Sequence, residues 1–246
     1  MASALKDTLE ELLRVRRLQA DAPPLRGQDR RLSPLPTGVP AVDGLLGGGL
    51  PRGEVSEVHG PASAGRTALV VGLAARVTRG GTLAGWVDPQ DRFEPGTAAG
   101  AGVDLARLLW LRGRAGQPRG LPEAVAATGT LLGSGLFDLV VLDLAGASAV
   151  EIQRLPGATW IRLQRMIETT PTALVLLADA HVAHGPGGAS LALSPGSARW
   201  SGPPGPGRLL SGLASEMRAG RHASLSWGVL AAHPPDPPLA SSAAAK

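Results

Sequence analysis

The residues best suited to chemistry lie in Gly60-Pro-Ala-Ser-Ala-Gly65-Arg66-Thr67, a segment that follows a strand-like run and opens a helix-like one. That order is the context a phosphate-binding loop requires. The segment departs from G-x-x-x-x-G-K-[ST] at one position, Arg66 in place of lysine. Gly60 and Gly65, with Ser63 between them, let backbone N–H groups turn inward around phosphate oxygens. The helix N-terminus adds its dipole, and the Thr67 hydroxyl suits Mg²⁺. Arg66 replaces a compact ammonium by a longer planar guanidinium, which changes both fit and transition-state stabilisation. The one mismatch leaves an ordinary strand-turn-helix open as the alternative. A second chemical residue ends the apolar run FDLVVLDLAG: Asp143 stands where a carboxylate would hold Mg²⁺ opposite Thr67. A strand-terminal cap is the plainer reading of Asp143.

The elements that must position these groups follow from periodicity. Strands are expected at Val55 to His59, Thr82 to Asp88, Arg107 to Leu111, Asp138 to Asp143 and Thr172 to Ala178, with helices at Gly65 to Arg79, Leu121 to Leu132 and Thr159 to Thr169. This alternation is that of an α/β domain, a mainly parallel sheet flanked by helices. Beyond His181, Gly and Pro punctuate short β-rich runs, which predicts a C-terminal antiparallel β extension of the same sheet. The expected organisation is an N-terminal amphipathic helix over residues 1–20, a linker over 21–36, the main domain over 37–232 and a disordered tail over 233–246. Leu5, Leu9, Leu12 and Leu13 lie on the apolar side of that first helix, which either docks on a partner or folds back on its own domain.

Composition sets the bounds. The 246 residues are 43% hydrophobic and 18% charged, enough chain for a sizeable core. No apolar run reaches the roughly 18 residues of a membrane span, and no signal peptide is evident, so a cytoplasmic protein with no membrane contact is expected. There are no cysteines, and the five histidines show no zinc-ligand spacing; no structural metal is expected. The formal net charge of +4 is almost entirely arginine, since Lys6 and Lys246 are the only lysines. Such a charge permits nucleic-acid binding without demonstrating it.

The stretch TGVPAVDGLLGGGLPRGEVSEVHGPASAGRT, continuing through GWVDPQDRFEPGTAAGAGVD to LVVLDLAGAS, resembles the RecA recombinase family, in order from about Ser33 to His181. The resemblance implies a RecA-like P-loop core with ATP and Mg²⁺ as cofactors, and four departures stand against them. Arg66 replaces the loop lysine, and Gln90 falls where the family has the glutamate that activates water; losing a general base typically costs on the order of 10²- to 10⁴-fold. Thr97 falls where a tyrosine stacks on adenine, and Asp179 where a polar residue senses the γ-phosphate. Asp91 and Glu94 are close enough in sequence to substitute for Gln90. The family's two DNA-contacting loops correspond to SAVEIQRLPGATW, with Arg154, and HVAHGPGGAS, with His181 and His184; DNA contact and plain surface loop both remain open for them.

Within the superfamily, the N-terminal helix, degenerate loop and missing cysteines resemble the ImuA family of the bacterial mutagenic translesion-synthesis cassette. That resemblance implies ImuB and an error-prone DNA polymerase as partners, with RecA and DNA as further ones, in a nucleoid-associated protein of the damage response. Three functions follow: a non-catalytic adaptor, a slow DNA-stimulated ATPase using Asp91 or Glu94 as base, or a RecA-like regulator outside repair. Of the tryptophans, Trp86 and Trp110 read as core, whereas Trp160, Trp200 and Trp227 leave stacking or partner contact open.

Overall fold

The computed structural model describes residues 11, 14, 33–113, 120–168, 170–183, 188–220 and 223–231. Leu5, Leu9, Leu12, Leu13, His184 and the tail from residue 233 lie outside the described residues. Glu11 and Arg14 are helical and joined by two hydrogen bonds of 3.0 and 2.9 Å, as the expected helix spacing allows.

The elements are α1 (Pro40–Leu45), β1 (Val55–His59), α2 (Arg66–Arg79), β2 (Leu83–Asp88), α3 (Pro95–Gly100), β3 (Leu108–Arg112), α4 (Leu121–Ser134), β4 (Phe137–Asp143), α5 (Ala149–Gln153), α6 (Thr159–Ile167), β5 (Ala173–Ala178), β6 (Ser190–Ser201), β7 (Leu209–Ala219) and β8 (Ala223–Ala231). They build one eight-stranded sheet in the order β3-β2-β4-β5-β1-β6-β7-β8. The pairings from β3 through β6 are parallel, and β6 then turns to β7 and β8 in antiparallel pairing, so the expected α/β fold with an antiparallel extension is present.

Strand alternation distributes the core onto two faces. Leu139 and Val141 of β4, with Val175 and Leu177 of β5, join Leu69, Val70, Leu73 and Val77 of α2 on one side. Their neighbours Val140, Leu142, Leu174 and Leu176 join Leu121 and Leu131 of α4 and Leu163 and Ile167 of α6 on the other. Strands buried on both faces read as continuous apolar runs, which is why β4 and β5 are Val- and Leu-rich throughout. Each fully buried large side chain, Trp86, Phe137 and Leu142 among them, contributes roughly 1.5–3 kcal/mol. Polar clamps fix the helices to the strands: the Gln164 side chain of α6 accepts from Val55 N at 2.9 Å and donates to Gly53 O at 3.1 Å.

The end of the expected linker is part of the domain. Leu35 is buried and exchanges two backbone hydrogen bonds with Leu50, at 2.7 and 2.8 Å, while the Asp43 carboxylate gathers the Thr37 N–H and hydroxyl at 2.7 Å each. A Pro-rich composition masked this bridge, because its two strands are single residues without periodicity. At the far edge, the β6–β7 hairpin carries exposed Trp200, Leu209 and Leu210, with the Arg208 guanidinium 5.8 Å from the Trp200 ring.

Candidate functional site

The sheet order places the ends of β1, β4 and β5 side by side, and these ends carry the candidate nucleotide-binding groups. β1 ends at His59, and the chain turns through Gly60 with φ of 153°, where a Cβ would collide with the Leu193 carbonyl of β6. Ser63 and Gly65 both take left-handed conformations, at φ of 63° and 84°, and alternate with their neighbours to make the inward-curving backbone of an anion nest. Gly65 is also the N-cap of α2 and supplies no side-chain cap, so the first N–H groups of this 14-residue helix are left for an external acceptor. Thr67 is exposed on that first turn.

Arg66 takes a direction that its type alone does not reveal. Its side chain is 8% exposed and turns back under the loop. There Nη1 donates to the carbonyl of Gly60 and, at 3.1 Å, to that of Ala178, and Nη2 pairs with the Asp179 carboxylate. The guanidinium therefore ties the end of β1 to the end of β5, using a fork of donors that a lysine lacks. Asp179 is the second half of the tie: its other oxygen accepts from Gly146 N at 3.0 Å, in the turn after β4. Asp179 thus has its countercharge inside the protein.

Asp143 is buried at the end of β4, where its Oδ1 accepts from Ala145 N at 2.9 Å. Burial, reinforced by the nearby Asp88 charge, pushes its carboxyl up to about 6, against the Ala145 hydrogen bond and the Trp86 and Arg66 side chains, which favour the anion. The Trp86 indole N–H is fully buried, makes no hydrogen bond of normal geometry, and is among the groups that favour the Asp143 anion. A cation binding here would relieve both the buried charge and its repulsion from Asp88.

Gln90, expected at the place of a water-activating glutamate, has neighbours whose carboxylates are engaged within the protein. Gln90 lies half-buried in the turn after β2. Asp91, at φ of 56°, pairs with Arg112 at 2.7 Å. Glu94 caps α3 by accepting from Thr97 N at 2.6 Å, and this bond to Thr97 holds its carboxyl below the usual range, the wrong direction for a base. Thr97 itself is exposed in the first turn of α3. Asp88, which sequence reasoning did not single out, organises this loop: it is fully buried and accepts from Arg92 N, Phe93 N and the Trp110 indole at 2.9, 2.8 and 3.2 Å. Trp86 and Trp110 both pack on Phe93; Trp86 is core, whereas Trp110 is half-buried with the Arg112 guanidinium over its ring. A strand-end Asp followed by a loop of mixed charge was the available signal for Asp88.

The loop backbone fits a phosphate, and Thr67 with Asp143 offers oxygen donors of the kind Mg²⁺ takes. Arg66 is engaged with the Gly60 and Ala178 carbonyls and Asp179, Asp91 with Arg112, and Glu94 with Thr97 N. Of the candidate DNA-binding residues, Arg154 is exposed at the C-cap of α5. His181 is held at the foot of its loop by Glu57, 2.6 Å from its Nδ1.

A mainly parallel sheet with a glycine loop running from its first strand into a helix is the arrangement of the RecA-like P-loop fold. The RecA N-terminal domain matches residues 24–164, more than half of the chain, and the chain belongs to that family. It is 34% identical over 139 residues to Protein RecA of Lactobacillus delbrueckii subsp. bulgaricus, covering 55% of this chain and 40% of that one. Against Protein RecA of Paenarthrobacter aurescens it is 37% identical over 143 residues, 56% of this chain and 40% of the relative. Against that of Pseudarthrobacter chlorophenolicus it is 38% identical over 133 residues, 53% and 36%. The chain thus spans about 40% of the length of the curated relatives it matches. Among the described residues, no helix is long and apolar enough to cross a membrane.

Proposed function

We propose that this chain is an ImuA-type accessory protein of translesion DNA synthesis, an adaptor that keeps the RecA core as a docking body and acts through its surfaces. The observation that carries this reading is the engagement of Arg66. In a working phosphate loop the basic side chain must reach the phosphates, and here its donors go to Gly60 O, Ala178 O and Asp179. Gln90 in place of a carboxylate, and the structural use of Asp91 and Glu94, support the same conclusion. The nest of Ser63, Gly65 and the first N–H groups of α2 would hold a phosphate, with Thr67 and Asp143 toward Mg²⁺, in a site that binds without turning over.

The partners in this reading are ImuB and an error-prone polymerase, with RecA and DNA as further ones, in the cytoplasm at the nucleoid. Support for surface binding comes from the exposed apolar residues Trp200, Leu209 and Leu210 on the β6–β7 hairpin and Ile161 and Met166 on α6. The decisive experiment is ATP binding and hydrolysis by the purified protein, with and without single-stranded DNA, beside Arg66→Ala. No turnover in any arm, together with co-purification of ImuB, is the expected result. DNA-stimulated hydrolysis abolished by Arg66→Ala would overturn the adaptor reading in favour of a slow ATPase.

A further inference from the structure

A second group of chemically capable residues lies outside the phosphate loop and is not used by it. Glu57 and His59 are two apart on β1, so both side chains stand on the same face of the strand. β5 pairs with β1 in parallel, with His59 opposite Ala178, so the chain leaving β5 delivers His181 to the same place. One ligand atom from each of Glu57, His59 and His181 lies within 4.8 Å of the others. The two imidazole rings are 5.5 Å apart and tilted by 47°.

The setting is that of a donor set. Glu57 is a carboxylate only 2% exposed, and among the described residues no arginine pairs with it. Its two oxygens are aimed by Val182 N and His181 Nδ1, each at 2.6 Å. His59 is half-buried beside Glu57 on the same face of β1. His181 is 44% exposed at its side chain, which leaves a path from solvent to the cluster.

We propose that Glu57, His59 and His181 form a binding site for a borderline divalent transition metal, zinc being the best match to two imidazoles and one carboxylate. Three protein ligands and a fourth position open to water is the count found in exposed zinc sites, whereas Mg²⁺ and Ca²⁺ prefer all-oxygen shells. The ion would fasten the loop after β5 to β1 immediately before Gly60, linking the base of the phosphate loop to the segment that carries His181. No regular His spacing in sequence announces the site, because its ligands come from a strand and from a loop far downstream. It does not depend on whether the phosphate loop binds nucleotide.

The test uses the full, untagged chain, stripped with chelator and dialysed against Zn²⁺, with metal content read by mass spectrometry. Co²⁺ serves as a coloured probe of ligand geometry. One equivalent of Zn²⁺ is expected, with Co²⁺ giving visible absorption of low-coordinate N/O ligation. His59→Asn and His181→Asn should each weaken binding about tenfold or more. Unchanged circular dichroism would show that both variants remain folded, and His222→Asn should leave the affinity as it was. Absence of stoichiometric Zn²⁺ in the unsubstituted chain, or equal binding by both folded variants, would overturn the site.

Discussion

Asp143→Asn tests the electrostatics of the β4 end with a magnitude the structure supplies. The carboxyl is buried among apolar strands and near Asp88, which raises it from 3.8 to about 6. About two units at 1.36 kcal/mol per unit is about 3 kcal/mol between the protonated and ionised native states. The sign follows from the direction of the shift. A folded pKa above the unfolded one means that the contribution to stability is fully present below about 3.8 and is lost as pH rises through about 6. The asparagine variant never ionises, keeps an oxygen for Ala145 N, and turns an amide rather than a negative charge toward Asp88. Urea unfolding of both proteins at several pH values from about 3 to 7.5 should therefore show the variant gaining on the parent by about 3 kcal/mol as pH rises from about 3.8 to about 6, and levelling off above that. A stability difference that stays flat with pH would refute the assignment of a strained carboxylate at this strand end.

Other outcomes are expected from the same geometry. Gly60→Ala should destabilise by about 2 kcal/mol or more in denaturant melts, because its Cβ would strike the Leu193 carbonyl and its φ is one L residues rarely adopt. Arg66→Lys should lose about 1–3 kcal/mol of stability with the carbonyl bonds it cannot reproduce. The same variant should bind a fluorescent ATP analogue more tightly than the parent; unchanged affinity would show that the Arg66 tie is not what weakens the site. Trp200→Ser combined with Leu209→Ser on the exposed hairpin should leave the melting temperature within a few degrees and reduce capture of ImuB in a pull-down.

Much of the fold was legible in the chain because its determinants are local. β1 was placed at its observed bounds, and β2, β3, β4 and β5 within one residue, since β-branched and apolar runs ended by Gly, Asp or Pro leave little freedom. The phosphate loop was legible for a similar reason: the glycine spacing and the following helix lie in one short segment. What the chain did not disclose were contacts made by the crossovers. Ala178 O reaches Arg66 only because β5 lies beside β1, an adjacency that skips over three intervening strands in sequence. His181 was read as a loop residue open either to DNA contact or to plain exposure, and its pairing with Glu57 depends on that same adjacency. Leu35 was read as linker, because a single-residue bridge to Leu50 leaves no periodic trace.

Arg66 and Asp179 make physical sense only together. A carboxylate at the end of β5 would repel a phosphate, and a buried guanidinium without a partner would be strongly unfavourable. Paired, each cancels the other, and the charge balance that a nucleotide would otherwise supply is met within the chain. A double-mutant cycle measures this directly. Arg66→Ala and Asp179→Ala should each destabilise, the first more because it also abandons the Gly60 and Ala178 carbonyls. The double variant should be less destabilised than their sum by about 1 kcal/mol, a modest value because Asp179 is 47% exposed and its attraction is screened by solvent. The coupling should diminish in high salt. Strict additivity would mean that Asp179 serves the Gly146 turn alone, and that Arg66 is held under the loop by its carbonyl bonds without help from charge.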